Sequence, residues 1–316
     1  MLVSNLIFAG NVVAPVFIII FLGIILRRRG IVNEQFNTLT SKVVFNVALP
    51  AMIFKELSSF PLNEILHPSQ VLLVVISLLV MFLFSWIVSA WLCHDGRDRG
   101  AFIQGSFRGN FAILGFALVR NAYGEEALGG AAIVLAIIMP IYNILSVIAL
   151  TVPLQQEKQI EFVRILKTVA TNPLILALLC ALPFSLFDIP LHPIFSQSIQ
   201  YLAALTLPLA LISLGSSLSF HSIRQDRKLT IAATIIKLVI MPCVGVAAAV
   251  LAGFRGQELG ILFFMFAAPT AIASYIMAEV MGSNGRLAGN IVLVSTIASL
   301  FTLSLGIFLL RLFNYF

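Results

Sequence analysis

The run Ser106-Phe107-Arg108-Gly109-Asn110-Phe111-Ala112 interrupts an otherwise apolar stretch, and Phe266-Ala267-Ala268-Pro269-Thr270-Ala271 interrupts another at nearly the corresponding place in the second half of the chain. Glycine tolerates unusual backbone angles and proline lacks the amide proton a helix needs, so each run can unwind its helix locally. Unwound backbone at membrane depth is tolerated only where protein covers it or where it lines a cavity. Two such breaks, one per half, predict helices that cross near the bilayer midplane. The starts of their second halves then converge, and free N–H groups with positive dipole ends favour an anion there. The plainer alternative is that Gly109 eases helix packing and Pro269 kinks an ordinary span.

Working outward, the two halves resemble each other at a constant offset of 158 residues. Pro15 pairs with Pro173, Leu49-Pro50 with Leu207-Pro208, Ser58-Ser59 with Ser216-Ser217, Gly124 with Gly282, and Ile133-Val134-Leu135 with Ile291-Val292-Leu293. Paired dipeptides and a tripeptide at one offset exceed what two Leu/Ile/Val/Ala-rich stretches share by composition. An odd number of membrane spans in each half makes the repeat inverted, a pattern of secondary transporters whose half-domains enclose a central site.

Composition supports the membrane reading. A 60% hydrophobic, 10% charged chain with a mean hydropathy of +1.07 lies far outside the range of soluble domains. The formal charge of +6 sits in short links between apolar runs, which reads as topology and not as a nucleic-acid surface. Cys93, Cys180 and Cys243 show no metal-ligand spacing and read as buried free thiols. No metal site is expected.

At about 20 residues per span, the sequence predicts ten: roughly 6–26, 38–58, 70–92, 100–121, 127–152, 168–188, 197–219, 229–251, 258–281 and 287–311. The fold expected is an all-α integral membrane protein of ten transmembrane helices in two inverted five-helix repeats, with spans 4 and 9 broken and crossing. Residues 1–154 form the first repeat, 155–167 a cytoplasmic linker, and 168–316 the second. The linker reads equally as a surface-lying amphipathic segment or a plain connection.

The odd-numbered links carry twelve basic residues: Arg27, Arg28, Arg29, Arg97, Arg99, Lys158, Arg164, Lys167, Arg224, Arg227, Lys228 and Arg286. The even links and the C-terminal end carry Lys55, Arg120, Arg255 and Arg311. The positive-inside rule therefore puts the odd links in the cytoplasm and both termini outside. The run Leu6 to Leu26 is too long for a signal-peptide core and is expected to stay as the first span.

With the breaks and spans in place, the chain resembles the auxin efflux carrier family, whose members include plant auxin carriers and bacterial carriers of malonate and malate. The stretches that carry the resemblance are Asn46-Val47-Ala48-Leu49-Pro50-Ala51, Phe107-Arg108-Gly109-Asn110 through Tyr123-Gly124, Lys237-Leu238-Val239-Ile240-Met241-Pro242 and Ala268-Pro269-Thr270. The resemblance implies a fold related to bile-acid symporters and sodium/proton antiporters, with a scaffold of spans 1, 2, 6 and 7. Spans 3–5 and 8–10 would form the moving domain of an elevator in the bacterial inner membrane. It also implies that Asn110 contacts substrate at the first crossover, and that Pro269-Thr270 supplies the second. Plant carriers have Pro where this chain has Gly109, which counts against auxin itself as the substrate.

Residue chemistry fills in the candidate site. Arg108 lies inside span 4, where a charge is costly unless it is paired or faces water. It reads either as the bidentate partner of a carboxylate substrate or as a residue that snorkels or caps the first half-helix. Lys237, equally deep in span 8, reads more as a structural charge than as a ligand. Asn143, and Ser274 on the same helical face as Thr270, are candidates for the cavity wall and equally for interhelical hydrogen bonds. Asn46 and Ser213 flank the paired prolines and are candidates for the scaffold side of the pocket. The acids fall in links or near span ends, with Glu56 and Glu279 closest to the interior.

The expected function is secondary transport of small organic anions, malonate- or malate-like, by alternating access. A cation/proton antiporter or a sodium-coupled symporter of the same fold is the nearest alternative, and a channel or passive receptor is a further one. Absence of GxxxxGK[ST] argues against ATP-driven transport. Absence of HExxH, of an intramembrane Asp pair and of a nucleophile-base arrangement argues against an intramembrane enzyme. No cofactor is expected, coupling to protons or sodium is left open, and a homodimer is an ordinary assembly for such a carrier.

Overall fold

The computed structural model describes residues 2–58, 68–154, 171, 173–187, 189–217 and 226–316. Among them, six helices are long and apolar enough to cross a bilayer: Ile7–Arg28, Pro68–Leu92, Glu125–Leu154, Pro193–Ser216, Arg227–Leu251 and Gly285–Leu312. Shorter helices fill the other apolar stretches, including Leu49–Ser58, Gly96–Phe107, Phe116–Tyr123, Pro173–Leu186, Gly256–Ala267 and Ile272–Val280. The linker 155–167 lies outside the described residues, as do Arg224, His67 and His221 and the side chains of Glu56 and Glu279.

Prolines account for most departures from regular helix. Val44–Ala48 and Ile236–Ile240 wind wider than an α-helix, and the amides of Leu49 and Met241 bond back to the carbonyls of Val44 and Ile236, five residues earlier. Pro50 and Pro242 follow directly. A proline ring clashes with the carbonyl four residues before it, and a π turn moves that carbonyl aside. Pro208 instead removes the donor for the Ala204 carbonyl, and the helices Pro193–Ala204 and Thr206–Ser217 meet at Leu205.

The long helices are only partly covered by protein, with 33% of the most apolar window of Pro68–Leu92 buried. The short broken helices are different: residues 100–107 and 259–267 are all buried. Interrupted backbone is thus enclosed by intact helices, as the absence of water in a bilayer requires.

Hydrogen bonds and rings fix these parts to one another. Arg27 donates to the Ser216 carbonyl, and the Ser216 hydroxyl donates to Asn37, which ties Leu2–Arg28 and Glu34–Val43 to Thr206–Ser217. At the start of Gly96–Phe107, Asp95 accepts from the Arg97 amide at 3.0 Å, Arg97 Nε donates to the Gly282 carbonyl at 3.0 Å, and Ser283 Oγ donates to the Arg97 carbonyl at 2.6 Å. Asn284 Nδ2 adds a bond to Asp98 at 2.6 Å. The surface cleft here is lined by Asp95, Arg97, Asp98 and Ser283–Arg286, groups already engaged in holding two loops together.

The C-terminal residues turn back through Asn314, at φ 57°, and place the Phe316 ring against Tyr123, Phe263 and Phe264. A ladder of rings also runs inward from Trp86 through Phe82 and Phe107 to Tyr142, at successive centroid separations of 5.6, 5.2 and 5.8 Å. The glycines paired at the 158-residue offset, Gly124 and Gly282, share a positive φ of 84° and 78°, a conformation L side chains rarely adopt.

One expectation about the thiols is corrected. Cys93 is buried, but Cys180 and Cys243 are exposed on their helices. An apolar face toward lipid and an apolar face toward protein have the same composition, so burial of these two was not readable. The Cys93 thiol, between Pro68–Leu92 and Gly96–Phe107, is pushed up to about 12 by burial and then by Asp98, which makes it a poor nucleophile.

Candidate functional site at the crossing of the broken helices

The helix Gly96–Phe107 ends where Arg108 turns extended, at φ −81° and ψ 111°. Gly256–Ala267 ends at Ala268, at φ −56° and ψ 134°, the extended conformation that the following proline favours. The two extended segments run antiparallel and pair, Gly109 opposite Thr270. Asn110 N–H donates to the Pro269 carbonyl at 2.7 Å, and Ala271 N–H donates to the Arg108 carbonyl at 3.2 Å. Backbone groups released by one break are therefore satisfied by the other. Pro269 fits because it has no amide to satisfy.

Asn110 opens the next helical segment, its carbonyl accepting from Leu114 at 3.0 Å and Gly115 at 3.3 Å. Its side-chain amide nitrogen is buried without a hydrogen-bond partner among the described residues, and so is the Ser274 hydroxyl in the first turn of Ile272–Val280. Thr270 differs. Its hydroxyl donates to the Gly105 carbonyl at 2.6 Å and its amide donates to Ser295 Oγ at 3.1 Å, so it fastens the crossing together.

Two cations lie beside the crossing. The Arg108 side chain, 4% exposed, donates to Ser146 Oγ and Asn143 Oδ1, each at 3.1 Å, and to the Met277 sulfur. Asn143 and Ser146 stand three apart on Leu128–Thr151 and so share a face. The side chain is held inside the protein and does not reach toward solvent. Among the described residues no carboxylate pairs with it.

Lys237, fully buried in the π turn Ile236–Ile240, donates to the Phe266 carbonyl at 2.9 Å and to the Met241 sulfur at 3.1 Å. It thereby neutralises the negative end of Gly256–Ala267, where helix carbonyls are left over. A Cβ at position 109 would lie 3.0 Å from its ammonium nitrogen. A methyl group at position 109 would thus press on the end of the Lys237 side chain, which is held by its bond to Phe266. The C-terminal end of the second broken helix has its own cation, Lys237, while Arg108 lies just before the segment that Asn110 opens.

The crossing brings together Arg108, Gly109, Asn110, Pro269, Thr270 and Ser274, with Asn143 and Lys237 in contact. Ser213 is buried on Thr206–Ser217, which packs against both Val44–Ala48 and Phe111–Gly115. Asn46 is exposed and donates to the Lys42 carbonyl at 2.9 Å. Sequence reasoning missed Gln104, Ser146, Met277 and Ser295. Helical spacing carried the signal for three of them: Gln104 is four before Arg108, Ser146 three after Asn143, and Met277 three after Ser274. Among the described residues there is no cluster of three metal-ligating side chains.

Known proteins match the chain over nearly its whole length. Over 305 residues the chain is 27% identical to a Methanothermobacter thermautotrophicus protein named "Uncharacterized transporter", covering 95% of this chain and 98% of that one. It is 24% identical over 319 residues to the "Uncharacterized transporter YfdV" of Escherichia coli, covering 96% and 98%. It is 26% identical over 315 residues to a Rhizobium meliloti protein named "Putative malonate transporter", covering 95% of each. Residues 10–307 match the family described as "Membrane transport protein". The chain belongs to this family, that of the auxin efflux carriers its motifs resemble, and is an integral membrane transporter and not an enzyme.

Proposed function

We propose that the protein is a secondary transporter of small organic anions, carboxylates of the malonate or malate type, working by elevator-type alternating access in a bacterial inner membrane with both termini outside. The observation that carries this reading is Arg108, a buried guanidinium whose described partners are an amide, a hydroxyl and a thioether. An unpaired cation in a low-dielectric interior is costly, and an anionic ligand offsets that cost. The unpartnered Asn110 amide and Ser274 hydroxyl lie at helix starts, where positive dipole ends favour the same charge. The name of the Rhizobium meliloti relative points to the same substrate class.

In this reading the ten spans form two inverted five-helix repeats, 1–154 and 168–316. Spans 1, 2, 6 and 7 are the scaffold, and the crossing moves against it with spans 3–5 and 8–10. The hydrogen bonds from Arg27 to Ser216 and from Ser216 to Asn37 support a scaffold that holds together as one body. Asn110, Arg108 and Ser274 bind the carboxylate, while Gly109, Pro269 and Thr270 shape the crossing.

The test is purified protein screened by thermal shift against a panel of organic acids at several pH values, with and without sodium, followed by counterflow of labelled malonate in liposomes. Stabilisation by dicarboxylates and saturable counterflow are expected. Cation flux driven by pH in the absence of any organic acid would overturn the reading in favour of an antiporter.

A further inference from the structure

The seat of Arg108 is polar but electrically neutral. Asn143 Oδ1 and Ser146 Oγ each accept from it at 3.1 Å, and Met277 sulfur, also approached by Gln104 Nε2 at 3.5 Å, closes the third side. A guanidinium has five N–H donors. The described bonds use Nη1 twice and Nη2 once. Nε–H and the remaining Nη2–H are the parallel pair that grips a carboxylate bidentately. A seat built from amide, hydroxyl and thioether orients the cation without cancelling its charge.

We infer that Asn143 and Ser146 are positioning residues that determine selectivity for anions: they hold the Arg108 guanidinium by neutral acceptors, so that the substrate carboxylate supplies the counter-charge. This rests on the organic-anion reading of the same site. It also changes the role of Asn143, which acts through Arg108 and not by touching substrate. An acid at position 143 would form an internal ion pair, relieve the buried charge and compete with the substrate for the same donors.

The decisive variant is Asn143→Asp, compared with Asn143→Ser, which adds no charge. With malonate as the probe, N143D should raise the melting temperature of ligand-free protein while weakening malonate binding by about 30-fold, the scale of a charge-assisted hydrogen bond. N143S, whose shorter side chain gives up the bond without adding charge, should weaken binding only about 3- to 10-fold and should not raise the melting temperature. Ser146→Ala provides a second route if N143D does not fold: apparent KM should rise about 3- to 10-fold for the loss of one bond, with the saturated transport rate within about twofold. Wild-type binding of malonate with unaltered affinity in N143D, or in S146A where N143D does not fold, would overturn the inference alone. No binding of malonate or of any panel acid by wild type would overturn the anion reading and this inference with it.

Discussion

The two breaks share an extended, antiparallel-paired backbone and differ in chemistry. The first, through Arg108, Gly109 and Asn110, carries a cation and an amide whose nitrogen has no partner among the described residues. The second, through Ala268, Pro269 and Thr270, carries no charge, and its one hydroxyl is spent on the Gly105 carbonyl. Lys237, on a different helix, serves the second break from outside. The contrast teaches that an antiparallel crossing needs only shape from both of its segments. Ligand chemistry is then free to differ between them, and the proposed function assigns recognition to the first break and fit to the second.

The largest expected effect comes from removing the charge of the first break. Arg108→Ala should lower malonate affinity by about 100-fold, the upper range for a bidentate charged contact, while membrane insertion and yield are retained; unchanged counterflow would erase the chemical difference between the breaks. Gly109→Ala attacks what the two share, since its methyl group meets Lys237 Nζ at 3.0 Å. It should cost about 1–3 kcal/mol through overpacking. Shortening Lys237 in the same protein should recover part of that loss, with a coupling of about 0.5–3 kcal/mol in a double-mutant cycle of thermal unfolding.

Asn110→Ala and Thr270→Val sharpen the comparison as an opposed pair. Asn110→Ala should reduce malonate affinity about tenfold with little change in melting temperature, because no group among the described residues bonds its side-chain nitrogen. Thr270→Val should do the reverse, leaving the Gly105 carbonyl without its donor at a cost of about 1–3 kcal/mol. The smallest effect belongs to Asn46→Ala, on an exposed side chain bonded to its own helix; transport and stability should shift by no more than about 0.5 kcal/mol.

The helical runs and the positions of both breaks were legible because hydropathy and the helix breakers Gly109 and Pro269 are local signals. The partners of each polar side chain were less so. Asn46 reads as pocket-lining from its place beside Pro50, and the structure adds what no local pattern carries: it lies within the π turn Val44–Ala48 and bonds the Lys42 carbonyl. Thr270 was recognisable as polar, yet its bond to Gly105 spans 165 positions in the chain and leaves no trace in local pattern. Gly109 was read for its backbone freedom, whereas the closest constraint on it is the ammonium of Lys237.

The ring ladder from Trp86 to Tyr142 has an optical consequence. The chain has two tryptophans; Trp91 is 81% exposed, and Trp86 is two ring contacts from Phe107, the residue next to Arg108. Replacing Trp91 with Phe leaves a single indole whose emission reports on the packing beside the guanidinium. If the proposed site is the substrate site, this indole should follow ligand occupancy in stopped flow without labelling.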